Sequence, residues 1–378
     1  MGALKLSYCM IVKDEERHLA RCLASVQPYV DELVVVDTGS SDRTPEIARE
    51  FGATVHCFEW CDDFAAARNF AIDQVSGDWI LTLDADEELV VEQENWRQGL
   101  FLDEKILAYS IDLLDAYQPL TPLKTNRLFR NLPGLRYAER YHEHLKYQNQ
   151  LILETQIQAL QSLKILHYGY EESLLQEKHL TRDIPMLERV RQKESLSLVL
   201  LLTLANGYLR VDQLEKAQEL WTEAFDRIAP NLMTGILPDE RNRLPALLFT
   251  LGSDACLSRE DYETTLLICR RGLEWFPAYP PLHHLTGYAL RELGFSLGAI
   301  AYFEQCLHLG RTGTYYQREP FDRDFITVRP AGDLGWTYLN LNRIEEAIVA
   351  FELALSFNAN YEPAIVGLQQ AREMLANQ

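Results

Sequence analysis

Two carboxylates one residue apart, Asp84 and Asp86, close a short apolar run over residues 79–83 that lacks breakers and reads as a buried strand. Acids delivered at the C-terminal end of a sheet strand stand where open α/β sheets bind ligands. Side chains alternate along a strand, so a pair with this spacing can flank a ligand from the same side. Mg²⁺ and Mn²⁺ prefer oxygen donors, commonly one or two carboxylates completed by substrate phosphates. The chemistry suggested is therefore a divalent cation and a phosphorylated substrate. Asp-x-Asp alone is a weak motif, and a solvated strand end helped along by Glu87 and Glu88 is the plain alternative.

The elements that must position these acids alternate strand and helix. Residues 6–12 are apolar enough for a central strand, and Lys13-Asp14-Glu15-Glu16 then opens a helix with Leu19, Cys22, Leu23 and Val26 on one face. A second strand, 33–36, runs into Asp37-Thr38-Gly39-Ser40-Ser41-Asp42, a turn-rich loop that caps a helix over 44–51. Residues 53–58 read as a third strand and 64–75 as a helix carrying Arg68 and Asn69. Such alternation predicts βαβ units and a parallel sheet with polar loops at its ligand-binding edge.

The segments CMIVKDEERHLARCLASV, DELVVVDTGSSDRTPEIAREFGA and DDFAAARNFAIDQVSGDWILTLDADEEL, in this order, resemble the catalytic domain of family 2 glycosyltransferases of the GT-A fold. The chain is most similar to a bacterial branch in which a tetratricopeptide array follows the transferase. The likeness is dense over residues 5–90 and sparser over 91–170. It implies a Rossmann-like, mostly parallel sheet, a nucleotide-sugar donor and a Mn²⁺ or Mg²⁺ ion. It assigns Asp86 to the metal, Asp84 to the ribose or the metal, Asp37 to the nucleotide base and Arg68 to the nucleotide. Lys13 is a weaker phosphate candidate, and Glu15 and Glu16 read as helix-start acids. Relatives also carry an Arg-x-Phe-Arg segment, here residues 127–130, and then a His-Glu pair, here His142-Glu143. Inverting displacement needs a carboxylate opposite the leaving group, which makes Glu143 the candidate general base, with Glu139 and Asp115 as competitors. His142 and His144 would orient loops or touch the acceptor. In several relatives a His after the last strand completes the metal site, and His167 in the Ile-Leu-His-Tyr-Gly-Tyr segment, 165–170, holds that place.

Composition restricts the field. With 378 residues and 47% hydrophobic content the chain can bury a substantial core and suggests two or three domains. A formal net charge of −20 argues against binding a nucleic-acid backbone. Seven scattered cysteines, an odd number without metal-type pairing, fit a reducing cytoplasm, and no apolar stretch predicts a membrane span.

From about residue 195 strand signals give way to helical periodicity. Four related units start near 198, 246, 280 and 328. The clearest pairs Leu334, Gly335 and Tyr338 with Ala347, Phe351 and Ala354; small residues fall where helices cross, and a large one fills the hole beside them. This pattern resembles the tetratricopeptide repeat, with extra residues at 230–244 and 311–327. Stacked repeats make a superhelix with a concave face, suited to a protein, peptide or glycan acceptor or to a second copy of the chain.

The expected organisation is an α/β transferase domain over 1–172, a helical linker over 173–195 and an all-α solenoid of about four helix pairs over 196–378. The expected activity is metal-dependent, inverting transfer from a nucleotide sugar, most simply a UDP-sugar. A repeat scaffold with a degenerate transferase domain is the alternative. A nucleotidyltransferase is a weaker one, since it would want a basic, glycine-rich loop where Lys13-Asp14-Glu15-Glu16 stands.

Overall fold

The computed structural model describes residues 4–97, 103–117, 121–169 and 179–376. The chain divides into two compact units, Met1–Gln118 with Pro122–Lys193, and Pro119–Thr121 with Glu194–Gln378.

The first unit begins β1 (Leu6–Val12), α1 (Leu19–Val26), β2 (Glu32–Asp37), α2 (Thr44–Glu50), β3 (Thr54–Cys57), α3 (Phe64–Asp73) and β4 (Trp79–Leu81). It continues with β5 (Glu87–Val91), β6 (Ala108–Asp115), β7 (Leu123–Arg130), β8 (Leu135–Ala138), β9 (His144–Tyr147), β10 (Gln150–Leu151), β11 (Ile157–His167) and α4 (Ile184–Arg191). Eight strands form one sheet in the order β3-β2-β1-β4-β7-β6-β11-β5, and β8, β9 and β10 form a small antiparallel one. In the large sheet β3, β2, β1 and β4 run parallel, as do β6 and β11, while β7 and β5 are antiparallel to their neighbours. The pleat sorts β1: Leu6, Tyr8, Met10 and Val12 join the core with Leu19, Leu23 and Trp79, whereas Cys9 joins the opposite core with Ala65, Ile72, Ile80 and Phe129. A central strand buried on both faces explains the near-continuous apolar run of 6–12.

The strand before the acidic pair is shorter than its apolar run, ending at Leu81 instead of Leu83. Asp84 lies in a tight turn whose carbonyl accepts from Glu87 N at 3.0 Å, and β5 starts there. The predicted linker lies partly outside the described residues, at 173–178. Its described part, with Met186 and Leu187 buried, groups with the first unit, where Arg189 pairs with Asp62 at 2.7 Å.

The second unit is helical: α5 (Leu198–Arg210), α6 (Leu214–Thr234), α7 (Leu244–Ser253), α8 (Tyr262–Trp275), α9 (Pro280–Glu292), α10 (Ser296–Thr312), α11 (Val328–Asn340), α12 (Ile344–Phe357) and α13 (Glu362–Ala376). The four predicted units correspond to the pairs α5/α6, α7/α8, α9/α10 and α11/α12, and α13 is an additional helix after them. The extra residues at 230–244 partly extend α6, which carries Pro230 and ends on Gly235 at φ 76°. Those at 311–327 fold back, with Tyr316 N donating to Ala278 O at 2.7 Å and its ring 5.4 Å from that of Phe276. Where α11, α12 and α13 cross, the Phe351 ring is fully buried against Gly335 and Gly367, and a Cβ at either glycine would collide with it. Gly335→Val is therefore expected to destabilise the array by about 1–3 kcal/mol through overpacking. Denaturant unfolding of the helical signal tests this; an unchanged midpoint would contradict the packing.

Candidate active site

The C-terminal edge of β1, β2 and β4 is organised by side chains that fasten loops to one another. Asp37, 7% exposed, accepts from Gly39 N at 3.3 Å and Ser40 N at 3.1 Å, which shapes the loop after β2. That loop is tied to the one after β1: Asp14 N donates to Ser40 Oγ at 2.9 Å, Glu15 N to Thr44 Oγ1 at 2.8 Å and Glu16 N to Asp42 Oδ2 at 3.1 Å. The backbone donors that a phosphate-cradling loop would need are thus already satisfied. Lys13 is exposed at the end of β1.

Helix α3 begins on Asp63, whose carboxylate caps it by accepting from Ala66 N at 2.9 Å. One face of the helix presents Arg68 and Asn69 together. The Asn69 amide closes both backbone groups of Tyr137, donating to its carbonyl and accepting from its N–H at 2.9 Å each, which locks β8 to α3. Arg68 lies over the Tyr137 ring at 5.6 Å. Beyond β8 the chain turns through Glu139 and His142, both in the left-handed region at φ 76° and 55°, and delivers Glu143 to Arg68.

The result is a continuous chain of ion pairs. Glu143 Oε1 meets Arg68 Nε at 2.5 Å, and Arg68 Nη2 meets Asp84 Oδ1 at 2.7 Å. Asp84 Oδ2 meets Arg127 Nη2 at 2.7 Å, which also reaches Glu87 Oε1 at 2.5 Å. Burial alone would raise the Asp84 pKa, but Arg127 and Arg68 reverse this and hold the carboxyl well below the carboxylate range. Glu87, 1% exposed, goes the other way: burial and the nearby Asp84 charge push it up against the pull of Arg127.

Asp86 turns to a different partner. Its Oδ1 lies 3.5 Å from His167 Nε2 at the end of β11, and its carbonyl accepts from Tyr168 N at 2.8 Å. Burial lowers the His167 pKa, but the Asp86 hydrogen bond and the charges of Asp86, Glu87 and Asp84 win and raise it. Gly169 closes over this pair; a Cβ there would strike the Asp86 carboxylate and come within 2.9 Å of His167 Cε1.

Arg68, Asp84 and Glu143 are thus brought together, and Asp86 is brought to His167. Asp84 and Asp86 sit in the turn at 84–87, not in a strand, and pair with different partners, Asp84 with Arg68 and Arg127 and Asp86 with His167. Among the described residues no group of three or more His, Cys, Asp or Glu side chains is arranged to hold a metal. Two oxygen and nitrogen donors, Asp86 and His167, fit a divalent ion that draws its remaining ligands from phosphate and water. Glu139 is exposed and paired with Lys146 at 3.2 Å, and Asp115 accepts from Tyr117 N at 2.7 Å. His144 is half-buried and its pKa lowered by burial and Lys146. Two residues of the site, Arg127 and Glu87, were not assigned from sequence, although Arg127 opens the Arg-x-Phe-Arg segment.

With this geometry in view, residues 7–93 match the family model Glycosyl transferase family 2, and residues 331–361 match that of a tetratricopeptide repeat. A TPR repeat-containing protein of Synechococcus elongatus is 45% identical over 180 residues, 46% of this chain and 44% of that protein. An uncharacterized glycosyltransferase of Rickettsia typhi is 38% identical over 117 residues, 30% of this chain and 40% of that one. The chain thus spans less than half the length of these curated relatives. A solved glucosyl-3-phosphoglycerate synthase from Mycobacterium tuberculosis, in complex with Mn²⁺, UDP and glucosyl-3-phosphoglycerate, aligns at 22% identity with a TM-score of 0.26, covering 30% of this chain and 45% of that one. The first unit carries a family 2 glycosyltransferase domain, and the helical unit carries a tetratricopeptide repeat.

The Asp86–His167 contact yields a direct expectation. In Asp86→Asn the imidazole keeps its burial and loses its main support, so its pKa is expected to fall. NMR titration of the His167 ring measures this; an unmoved midpoint would show that Asp86 does not govern it.

Proposed function

We propose that this protein is a metal-dependent, inverting glycosyltransferase that takes a sugar from a nucleotide donor, most simply a UDP-sugar. The observation that carries the reading is the ion-pair chain Glu143–Arg68–Asp84–Arg127–Glu87, set beside the Asp86–His167 pair within a family 2 glycosyltransferase domain. Three carboxylates there (Asp84, Glu87 and Glu143) face two guanidiniums, Arg68 and Arg127, and a fourth, Asp86, faces His167. A diphosphate entering such a site meets net repulsion unless a cation comes with it. Asp86 and His167 are the residues that would hold Mn²⁺ or Mg²⁺, and the ion would neutralise charge on the departing diphosphate.

The remaining work falls to the chain's own groups. Arg68 and Arg127 supply positive charge where the leaving group becomes more anionic. Asp84 holds the two guanidiniums in place. Asp37 shapes the loop that would receive the nucleotide base, and Lys13 lies at the same edge as a further cation for the phosphates. Glu143 accepts the proton of the acceptor's nucleophilic atom as that atom bonds to the anomeric carbon. The bond from that carbon to the diphosphate oxygen breaks, and its electron pair leaves with the diphosphate. Attack opposite the leaving group inverts the anomeric centre. The helical array would hold the acceptor, a peptide, protein or glycan, or a second copy of the chain. Among the described residues no helix is long and apolar enough to cross a membrane, and we assign the activity to the cytoplasm, where seven free thiols are stable.

Release of UDP from a panel of UDP-sugars with Mn²⁺, without acceptor, tests the reading. The native protein is expected to release UDP slowly from one donor. Asp86→Asn should abolish release, and Glu143→Gln should reduce it about 100-fold or more, the usual worth of a general base, while still binding UDP. Activity unaffected by both substitutions would refute the assignment, and no release from any donor would favour a non-catalytic scaffold.

A further inference from the structure

Glu143 is held by Arg68, and the two partners of that guanidinium are not held equally. Asp84 has a second cation, Arg127, on its other oxygen at 2.7 Å. Among the described residues Glu143 has one ion-pair partner, Arg68, through Nε at 2.5 Å. Arg68 is only 8% exposed, so its direction is set by these two carboxylates and by the Tyr137 ring. A guanidinium fork matches phosphate as well as carboxylate, and in a buried site an arriving diphosphate competes for it. When it does, Asp84 keeps Arg127 and Glu143 loses its cation. The turn carrying Glu143 has His142 at φ 55°, a conformation that non-glycine residues keep only where their surroundings hold it, and Arg68 is one such hold. A general base must lie within hydrogen-bond reach of the proton it takes, and the Glu143 carboxylate is directed at Arg68.

We infer that Arg68 is a positioning residue that latches Glu143 until the donor binds: the diphosphate draws Arg68 away and frees the carboxylate for the acceptor. The inference rests on the glycosyltransferase reading above. It makes Glu143 unavailable as a base for as long as Arg68 holds it. It also assigns the Glu143–Arg68 pair a cost against donor affinity, which a merely structural pair would not have.

Calorimetric titration of UDP in the presence of Mn²⁺ into four proteins tests this: the native chain, Glu143→Gln, Arg68→Met and the double variant, each first checked for native melting without ligand. Glu143→Gln is expected to bind UDP about tenfold more tightly than the native chain, the order of one charge-assisted hydrogen bond that no longer has to be broken. In the Arg68→Met background the same substitution should gain less than about twofold, the difference being the coupling between the residues. If Arg68→Met does not fold, Arg68→Lys, which keeps the charge but not the fork, replaces it in the cycle. An equal gain in both backgrounds would overturn the latch and leave simple repulsion between Glu143 and the diphosphate. No gain in the native background would overturn it as well. A native chain that binds none of UDP, GDP or dTDP with Mn²⁺ or Mg²⁺ would instead bring down the glycosyltransferase reading.

Discussion

The carboxylate of Asp84, held between Arg68 and Arg127, is the interaction on which the rest of the site depends. It ties three elements remote in sequence: helix α3, strand β7 and the turn between β4 and β5. Each ion gave up water to enter the site, and that loss is offset only while every charge keeps its partner. Removing Arg127 would leave Glu87, whose side chain is almost fully buried, without its cation. The network thus serves position more than stability. It holds two guanidiniums side by side at the ligand-binding edge of the sheet, and through Arg68 it decides where Glu143 points. The opposite effects on Asp84 and Glu87, one carboxyl driven down and its neighbour driven up, express the same fact: two cations cannot fully serve three carboxylates.

Much of this architecture could be read from the sequence, for identifiable reasons. Strands β1, β2 and β4 are buried on both faces and announce themselves as apolar runs, and α1 shows its buried face at Leu19, Cys22, Leu23 and Val26. The repeats were legible because small residues recur at helix crossings, as Gly335 and Gly367 do around Phe351. Helix α13 was not, since a single helix does not show the paired pattern by which the repeats were recognised. The same limit applied within the site. Asp84 and Asp86 look equivalent in a strand, but the strand stops at Leu81, and a turn sets the two acids to different tasks. Arg127 reaches Asp84 and Glu87 across 43 and 40 positions, which no local pattern encodes. Glu87 in particular reads as one more acid at a solvated end, although it is almost fully buried.

The two halves follow different physical rules. The sheet places charged groups by alternation, loop fastening and paired burial, so a single substitution at its edge changes electrostatics over several residues. The helical array is held by repeated packing of large rings against glycine, with buried polar ties such as Asp333 to His284 and Arg291 at 2.8 and 2.5 Å between α9 and α11. Its local, repetitive contacts allow loops to lengthen without disturbing the stack, as the extended α6 and the folded-back segment before α11 illustrate.

On the proposed function, Asp86 and His167 serve a divalent ion that brings the diphosphate into a site rich in carboxylates. The most direct test of this is the melting temperature of the native chain with UDP alone, with Mn²⁺ alone and with both. A ligand selective for the folded state stabilises it by about 2.7 kcal/mol at a hundredfold excess over its dissociation constant. With both, a shift that clearly exceeds the sum of the separate shifts is expected. A UDP shift of the same size with and without the metal would contradict it.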